Sequence, residues 1–482
     1  MEIFNKFVDL VDSYCWNPIT LLFIFLSGVY LSYRIGFFQF FQSKLWISRT
    51  FGIFFKKNKK QSNSISPIQA ASAALGGCVG TANIVGVAGA LTIGGAGSMF
   101  WMWISSFFGM ATAFSENTLG IIYRKKDKNG NYIGGPMFYI QYGLKKKWLA
   151  KCFAIFCVGF GLGTSNMMQT NSLSEAIGTL IYGESFSSAK GNIFNEKGFL
   201  NGLVIAIIAG IVIFGGIKRI VKVTDKIVPI MAVIYILAGL LIIFSNVEKI
   251  VPVFLNILSE AFNFKSVGGA VFGSMIVKSI KSGLSRGILS NEAGLGSGPI
   301  LHSASSNSEP VIAGMWGIFQ VFVDTFLICN ITGFVILTTG AINVDKSFDG
   351  RAITDRAFGS FFGDFGGVLV NIMLALFAFS TLIGWSYCPE SCANYLKGKK
   401  AVRLYRISHV LLMPISASLP IDIVWKFLSL FCVAMTIPNL ISVLFLSKEV
   451  KGAVDNFLIR IKSKKLNLDK KTITTEKNLK SY

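Results

Sequence analysis

Of the 482 residues, 52% are apolar and 15% charged. A soluble domain carries about 25% charged residues, so one membrane domain is expected rather than several water-facing ones. The net charge of +22 does not point to nucleic acid, because the basic residues sit between apolar runs and no RNA- or DNA-binding module surrounds them.

Roughly 18 to 25 apolar residues cross the hydrocarbon of a bilayer as one helix, and runs of that size recur along the chain. Met1 to Pro18 has no basic n-region and no small-residue cleavage site, so no removable signal peptide is expected. The first span runs from Ile19 to Phe38. A loop carrying Lys44, Arg49, Lys56, Lys57, Lys59 and Lys60 follows it. Spans two and three cover Pro67 to Ile93 and Ser98 to Tyr123, and lead to Arg124, Lys125, Lys126 and Lys145 to Lys147. The remaining spans are Ala150–Leu180, Gly202–Gly216, Val228–Ser245, Gly268–Leu301, Val311–Thr339, Gly367–Tyr387, Tyr405–Leu419 and Ile423–Leu446. Lys218, Arg219, Lys222, Lys226, Lys397, Lys399, Lys400 and Arg403 fall on the same side as the first basic loops. The segments Gly183–Gly198 and Asn343–Arg356 mix both signs and fall opposite. Eleven spans with an external N-terminus thus satisfy the positive-inside rule. The tail after Lys448 is polar and expected to be loosely ordered and cytoplasmic.

Two spans carry residues that break helices. Span two holds Gly76-Gly77-Cys78-Val79-Gly80-Thr81-Ala82-Asn83, then Gly86 and Gly89. Isolated glycines serve close helix packing, but a dense cluster ending in Thr-Ala-Asn is better read as an unwound segment. Such a segment offers backbone groups to an ion and a solute. Span seven holds Ser290-Asn291-Glu292-Ala293-Gly294-Leu295-Gly296-Ser297-Gly298-Pro299. This is either a second break or a cytoplasmic loop, since Lys278, Lys281 and Arg286 lie just before it. A break at Gly268-Gly269 and Gly273 is the other option. With the first span set aside, the irregular spans become the first and sixth of ten, and corresponding interruptions in two halves point to an inverted-repeat transporter.

Other polar groups allow a bland reading. Glu116 and Asp324 lie within spans and are costly unless paired or hydrated. Asp324 is read as structural, and Glu116 as either cation-binding or helix-holding. Cys388 and Cys392, one turn apart with no histidine near, are read as buried small hydrophobes. His302 and His409 lack a visible nucleophile partner, no Walker loop is present, and no repeated filter motif suggests a channel.

Gly80-Thr81-Ala82-Asn83-Ile84, Phe100-Trp101-Met102-Trp103, Gly134-Gly135-Pro136-Met137, Ser290 to Ser297, and Phe379-Ser380-Thr381-Leu382-Ile383-Gly384-Trp385 occur in the order and spacing of one family. On these segments the chain resembles the sodium/alanine symporter family (alanine or glycine:cation symporters) along nearly its whole length. The resemblance implies an all-α polytopic membrane protein with a LeuT-like 5+5 inverted repeat and an extra N-terminal helix. Residues 1–447 would form one transporter domain: the extra helix at 19–38, a first repeat over about 66–245 and a second over about 250–447. Residues 448–482 would be the basic tail. It also implies import of a small neutral amino acid (alanine, with glycine or serine as further candidates) with Na⁺ across a bacterial or archaeal cell membrane. No organic cofactor, nucleic acid or obligatory protein partner is implied. A proton-coupled carrier of the same fold is the alternative.

The solute is then expected at Gly80, Thr81, Asn83, Asn166, Gln169, Asn291, Thr381 and Trp385. Its carboxylate would meet the N–H groups of the half-helix that begins near Thr81 to Asn83. Sodium would take Ser380 and Thr381 with carbonyls of Gly77 to Gly80. Trp385, four residues after Thr381, would wall the pocket; a lipid-facing anchor is its other reading. The family usually has Gly-Thr-Gly-Asn where this chain has Ala82, and a glycine where it has Pro389 before Glu390. The first departure is expected to narrow the pocket, the second to reshape a helix end.

Overall fold

The computed structural model describes residues 17–54, 65–127, 130–183, 186, 195–262, 270–307, 309–343, 350–419 and 421–479. Helices account for nearly all of its regular structure, with one short antiparallel ladder pairing Lys125–Lys126 with Tyr132–Ile133.

Helix α1 (Pro18–Arg34) starts where Asn17 accepts from the Thr20 N–H at 2.7 Å, with proline at the first turn. Helix α2 (Pro67–Cys78) opens on a capping box. Ser66 accepts from Gln69 N while Gln69 Oε1 accepts from Ser66 N, which satisfies two orphan donors at once. It stops at Val79 and Gly80, both extended, and the chain makes one 3₁₀ turn over Thr81–Asn83. It then resumes as α3 (Val85–Gly94). Helices α4 (Gly97–Ile122), α5 (Lys147–Leu162) and α6 (Gln169–Tyr182) follow, the last two joined by a π-helical turn at Gly163–Met168. Next come α7 (Glu196–Phe214), α8 (Gly216–Ser245) and α9 (Val247–Phe262).

Helix α10 (Ala270–Asn291) is separated from α11 (Ser297–Ser303) by the second break. Glu292, Gly294 and Gly296 there all have positive φ, at 59°, 97° and 82°. This left-handed region suits glycine and terminates α10 outright. Helices α12 (Pro310–Val321) and α13 (Asn330–Thr339) flank a second π-helical turn at Phe322–Cys329. After α14 (Gly350–Phe362) come the 34-residue α15 (Asp364–Lys397), then α16 (Lys399–Ser418), α17 (Ile421–Phe445) and α18 (Ser447–Leu479).

Each expected span falls on one of these helices or on a broken or joined pair. Among the described residues, five helical stretches are long and apolar enough to cross a membrane on length and composition, and a bent pair at the end of the chain makes six. On α7 and α8 the large apolar residues, such as Ile207, Ile211, Leu237 and Phe244, are exposed. That inside-out pattern suits hydrocarbon rather than water.

Three expectations need correction. The first part of the tail is not loose: α18 is helical, and Val450, Val454 and Phe457 on its first half are buried. Tyr123 donates to Glu449 Oε2 at 2.6 Å, and Arg460 pairs with Glu309 at 2.9 Å, so apolar and polar contacts both fasten it. Pro389 does not end a helix, since α15 runs on to Lys397. Its ring lies on Gly161 of α5, where a Cβ would come within 2.0 Å of it, and Glu390 takes two hydrogen bonds from Arg406 of α16 at 2.7 and 2.8 Å. Finally, Gly273 lies within α10, so the break is at 291–297; Gly268 and Gly269 fall outside the described residues.

Candidate functional site

The two breaks meet. Asn83, at the end of the first, donates through Nδ2 to Ser290 Oγ at 3.0 Å on α10 and to Asp324 Oδ1 at 2.6 Å on the π-helical turn. Its Oδ1 accepts from the Gly80 N–H at 2.8 Å, so one side chain stitches its own unwound segment to two other elements. Ser290 and Thr325 hydroxyls donate to Asp324 Oδ2 at 2.7 and 3.0 Å. The Thr332 hydroxyl donates to Asn83 O at 2.8 Å and lies 2.7 Å from Tyr235 OH. Every polar group in this knot has a partner, the condition under which buried polar networks hold a unique geometry.

Across the first break lies α15. Thr381 Oγ1 lies 3.1 Å from Gly76 O and 3.2 Å from Val79 O, carbonyls at the end of α2. Ser380 is buried one residue earlier and donates to Phe377 O at 2.9 Å within its own helix. This close approach depends on glycine. A Cβ on Gly384 would come 3.0 Å from Gly77 N, and one on Gly80 would come 2.6 Å from Thr381 Oγ1. Two carbonyls and one hydroxyl therefore converge, with the Ser380 hydroxyl one residue away in the chain; hard oxygen ligands of this kind suit alkali cations.

Beside them is a cavity of about 60 Å³, lined by Gly77, Gly80, Ala82, Gln169, Thr381 and Trp385 among others. Trp385 is buried, which removes the lipid-anchor reading. Its ring centroid lies 4.7 Å from that of Phe160, and its Nε1 donates to Glu292 Oε1 at 2.5 Å. Ser297 holds the other Glu292 oxygen at 2.7 Å. Thr81 Oγ1 donates to Gln169 Oε1 at 3.3 Å. Among the described residues the N–H groups of Thr81 and Ala82 find no backbone acceptor. They are donors left over at the start of a helical turn, the usual seat for an anion.

Of the residues expected to hold solute, Gly80, Gln169, Thr381 and Trp385 line this cavity. Thr81 lines the adjoining vestibule of about 210 Å³. Asn83 is engaged in the knot behind the break. Asn166 instead donates to His409 O on α16 at 2.5 Å. Asn291 donates to Ser106 Oγ at 3.1 Å and accepts from Ala293 N at 3.0 Å, bracing the second break. Of the expected ion-binding residues, Thr381 meets Gly76 O and Val79 O rather than carbonyls of Gly77 and Gly80, and Ser380 bonds Phe377 O of its own helix.

Several residues were not anticipated. Glu292 faces the cavity, although it stood in a motif already singled out. Arg286, read as a mark of a basic loop, lies within α10 and lines both cavities. Asp324 touches Asn83 directly, beyond the helix-holding part expected of it. Glu116 is buried, bonded by Asn439 Nδ2 and by Gly294 N at 3.2 Å, so it clasps the second break to α17.

The profile of the Sodium:alanine symporter family matches residues 1–471. The sodium/alanine symporter AgcS of Methanococcus maripaludis is 39% identical over 460 residues, covering 94% of this chain and 97% of that protein. The probable sodium/glutamine symporter GlnT of Bacillus subtilis is 34% identical over 458 residues, covering 95% and 91%. Among solved structures, MhsT in complex with L-phenylalanine superposes with a TM-score of 0.53 at 14% identity, covering 83% of this chain and 99% of that one. That likeness shows the LeuT-like fold. Family and fold are those of multi-pass secondary transporters rather than enzymes. The chain belongs to the sodium:alanine symporter family.

Proposed function

We propose that the protein imports a small neutral amino acid, alanine before glycine or serine, together with Na⁺. One observation carries this reading: the Thr381 hydroxyl rests on two carbonyls at the end of α2, at the edge of a small cavity. Sodium takes the Thr381 and Ser380 oxygens with Gly76 O and Val79 O, and the Thr381 O–H turns away from those two carbonyls to let the ion in. The solute carboxylate takes the Thr81 and Ala82 N–H groups, and the side chain lies toward Trp385 and Phe160. Those two rings leave room for little more than a methyl or hydroxymethyl group. The relatives named for sodium with alanine or glutamine support amino-acid cargo and leave its size to the pocket.

In this reading the chain crosses the membrane eleven times, with its N-terminus outside and its basic connections and α18 in the cytoplasm. The extra helix α1 precedes two repeats, over about 66–245 and 250–447, whose broken helices α2/α3 and α10/α11 open each half. Rocking of these halves about the midplane site provides alternating access. Purified protein in liposomes tests this, with labelled alanine uptake driven by an imposed Na⁺ or H⁺ gradient and competed with glycine, serine and glutamine. Saturable uptake that needs Na⁺ is expected. Uptake driven by the H⁺ gradient alone would favour the proton-coupled alternative, for which Asp324 and Glu292 are the available carboxylates. Unsaturable current would refute a carrier.

A further inference from the structure

The inner cavity and the outer vestibule share a wall. The vestibule runs along α3, past Thr92 and Ile93, to Gly350 at the start of α14. The cavity lies between the breaks. Among the described residues only Ala82, Met168 and Arg286 line both, and of these only Arg286 is charged. It sits five residues before the end of α10, more than one helical turn ahead of the second break, and is half-buried. A cation there is retained against the cost of removing it from water, which marks a functional group by default. Its planar fork of five donors can keep a resident partner and still take a carboxylate in two parallel bonds. Ala82 stands beside it on the same wall, and the Ala82 N–H is one of the two donors without a backbone acceptor.

We propose that Arg286 is the carboxylate-recognition residue at the partition: it takes the amino-acid carboxylate in the vestibule and passes it to the N–H groups of the first break. This rests on the amino-acid reading above and adds to it a residue and a direction. The solute enters carboxylate first, past Arg286, and only a molecule with a free carboxylate opens the wall. Arg286 thereby selects α-amino acids over amines and amides before the inner pocket reads side-chain size.

The test compares native protein, Arg286→Gln and Arg286→Lys in liposomes, after each is shown to be monodisperse. It measures Na⁺-driven alanine uptake and its inhibition by alaninamide, which lacks the carboxylate. Loss of a charge-assisted hydrogen bond predicts a KM for alanine raised by roughly ten- to a hundredfold in R286Q. R286K should recover part of that loss, and weak inhibition by alaninamide should be unchanged in all three. A KM within twofold of native in R286Q overturns the proposal. So does an equal loss for alanine and alaninamide, which would mean that Arg286 only supports the wall. If R286Q is not monodisperse, R286K decides: a KM for alanine unchanged alongside equal alaninamide inhibition refutes carboxylate recognition by the guanidinium fork. Native protein that takes up no alanine under a Na⁺ gradient would instead refute the functional reading itself, and this assignment with it.

Discussion

Replacing Thr381 with alanine should weaken sodium binding far more than it weakens the fold. In the structure the hydroxyl lies 3.1 and 3.2 Å from two carbonyls, so without the ion it makes in effect one shared hydrogen bond. With sodium bound, the same oxygen turns its lone pairs to a full charge. A neutral hydrogen bond contributes about 0.5–1.5 kcal/mol and one to a charged group about 1.5–3 kcal/mol. The ion-bound state therefore loses about 1–2 kcal/mol more than the empty one. At 1.4 kcal/mol per tenfold, the sodium concentration for half-maximal uptake should rise roughly five- to thirtyfold. Alanine uptake into liposomes over a range of Na⁺ measures this directly. Thr381→Ser, which keeps the oxygen, should stay near native. If Thr381→Ala leaves the half-saturating sodium within twofold of native, Thr381 is no ligand and the ion lies elsewhere.

Gly80→Ala places a Cβ 2.6 Å from Thr381 Oγ1, closer than such atoms approach. Overpacking of this kind costs about 1–3 kcal/mol, and uptake at fixed sodium should fall at least about fivefold while Thr381→Ser/Gly80→Ala behaves no better. Ala82→Gly removes the methyl from the wall between vestibule and cavity, so serine and glutamine should compete more strongly against alanine; unchanged competition would mean that the pocket is limited by Trp385 and Phe160 alone. Glu390→Gln breaks a two-bond pair with Arg406 that joins α15 to α16. A loss of about 1–3 kcal/mol should lower the thermal unfolding midpoint in detergent and leave the KM for alanine near native.

The helix breaks were legible because their cause is local. Gly76, Gly77 and Gly80 weaken a helix whoever its neighbours are, and Asn83 can satisfy a freed N–H three residues back. The second break was only half legible, since Lys278, Lys281 and Arg286 also describe a loop; what decides it is that α10 stays helical through Arg286 to Asn291. The π-helical turns at Gly163–Met168 and Phe322–Cys329 were invisible. Each widens a turn within an apolar run without changing its composition, yet one of them delivers Asp324 to Asn83. Asn166 shows the opposite failure. A polar residue in a span must be satisfied somewhere, and here its partner is a carbonyl on a helix more than two hundred residues away. The helicity of the tail escaped notice because its buried Val450, Val454 and Phe457 are thinly spread among lysines.

Asn83 has one amide, and the structure divides it between two broken helices: its oxygen serves Gly80 and its nitrogen serves Ser290 and Asp324. The first unwound segment cannot move away from the end of α10 or from the π-helical turn without unmaking these bonds. In the proposed symporter this would oppose slippage, because an ion that shifted the first segment alone would leave Ser290 and Asp324 without their Asn83 partner. If the protein works as the proposed sodium symporter, tight stoichiometry and a low ion leak without solute are expected to depend on the hydrogen-bonding capacity of this one side chain.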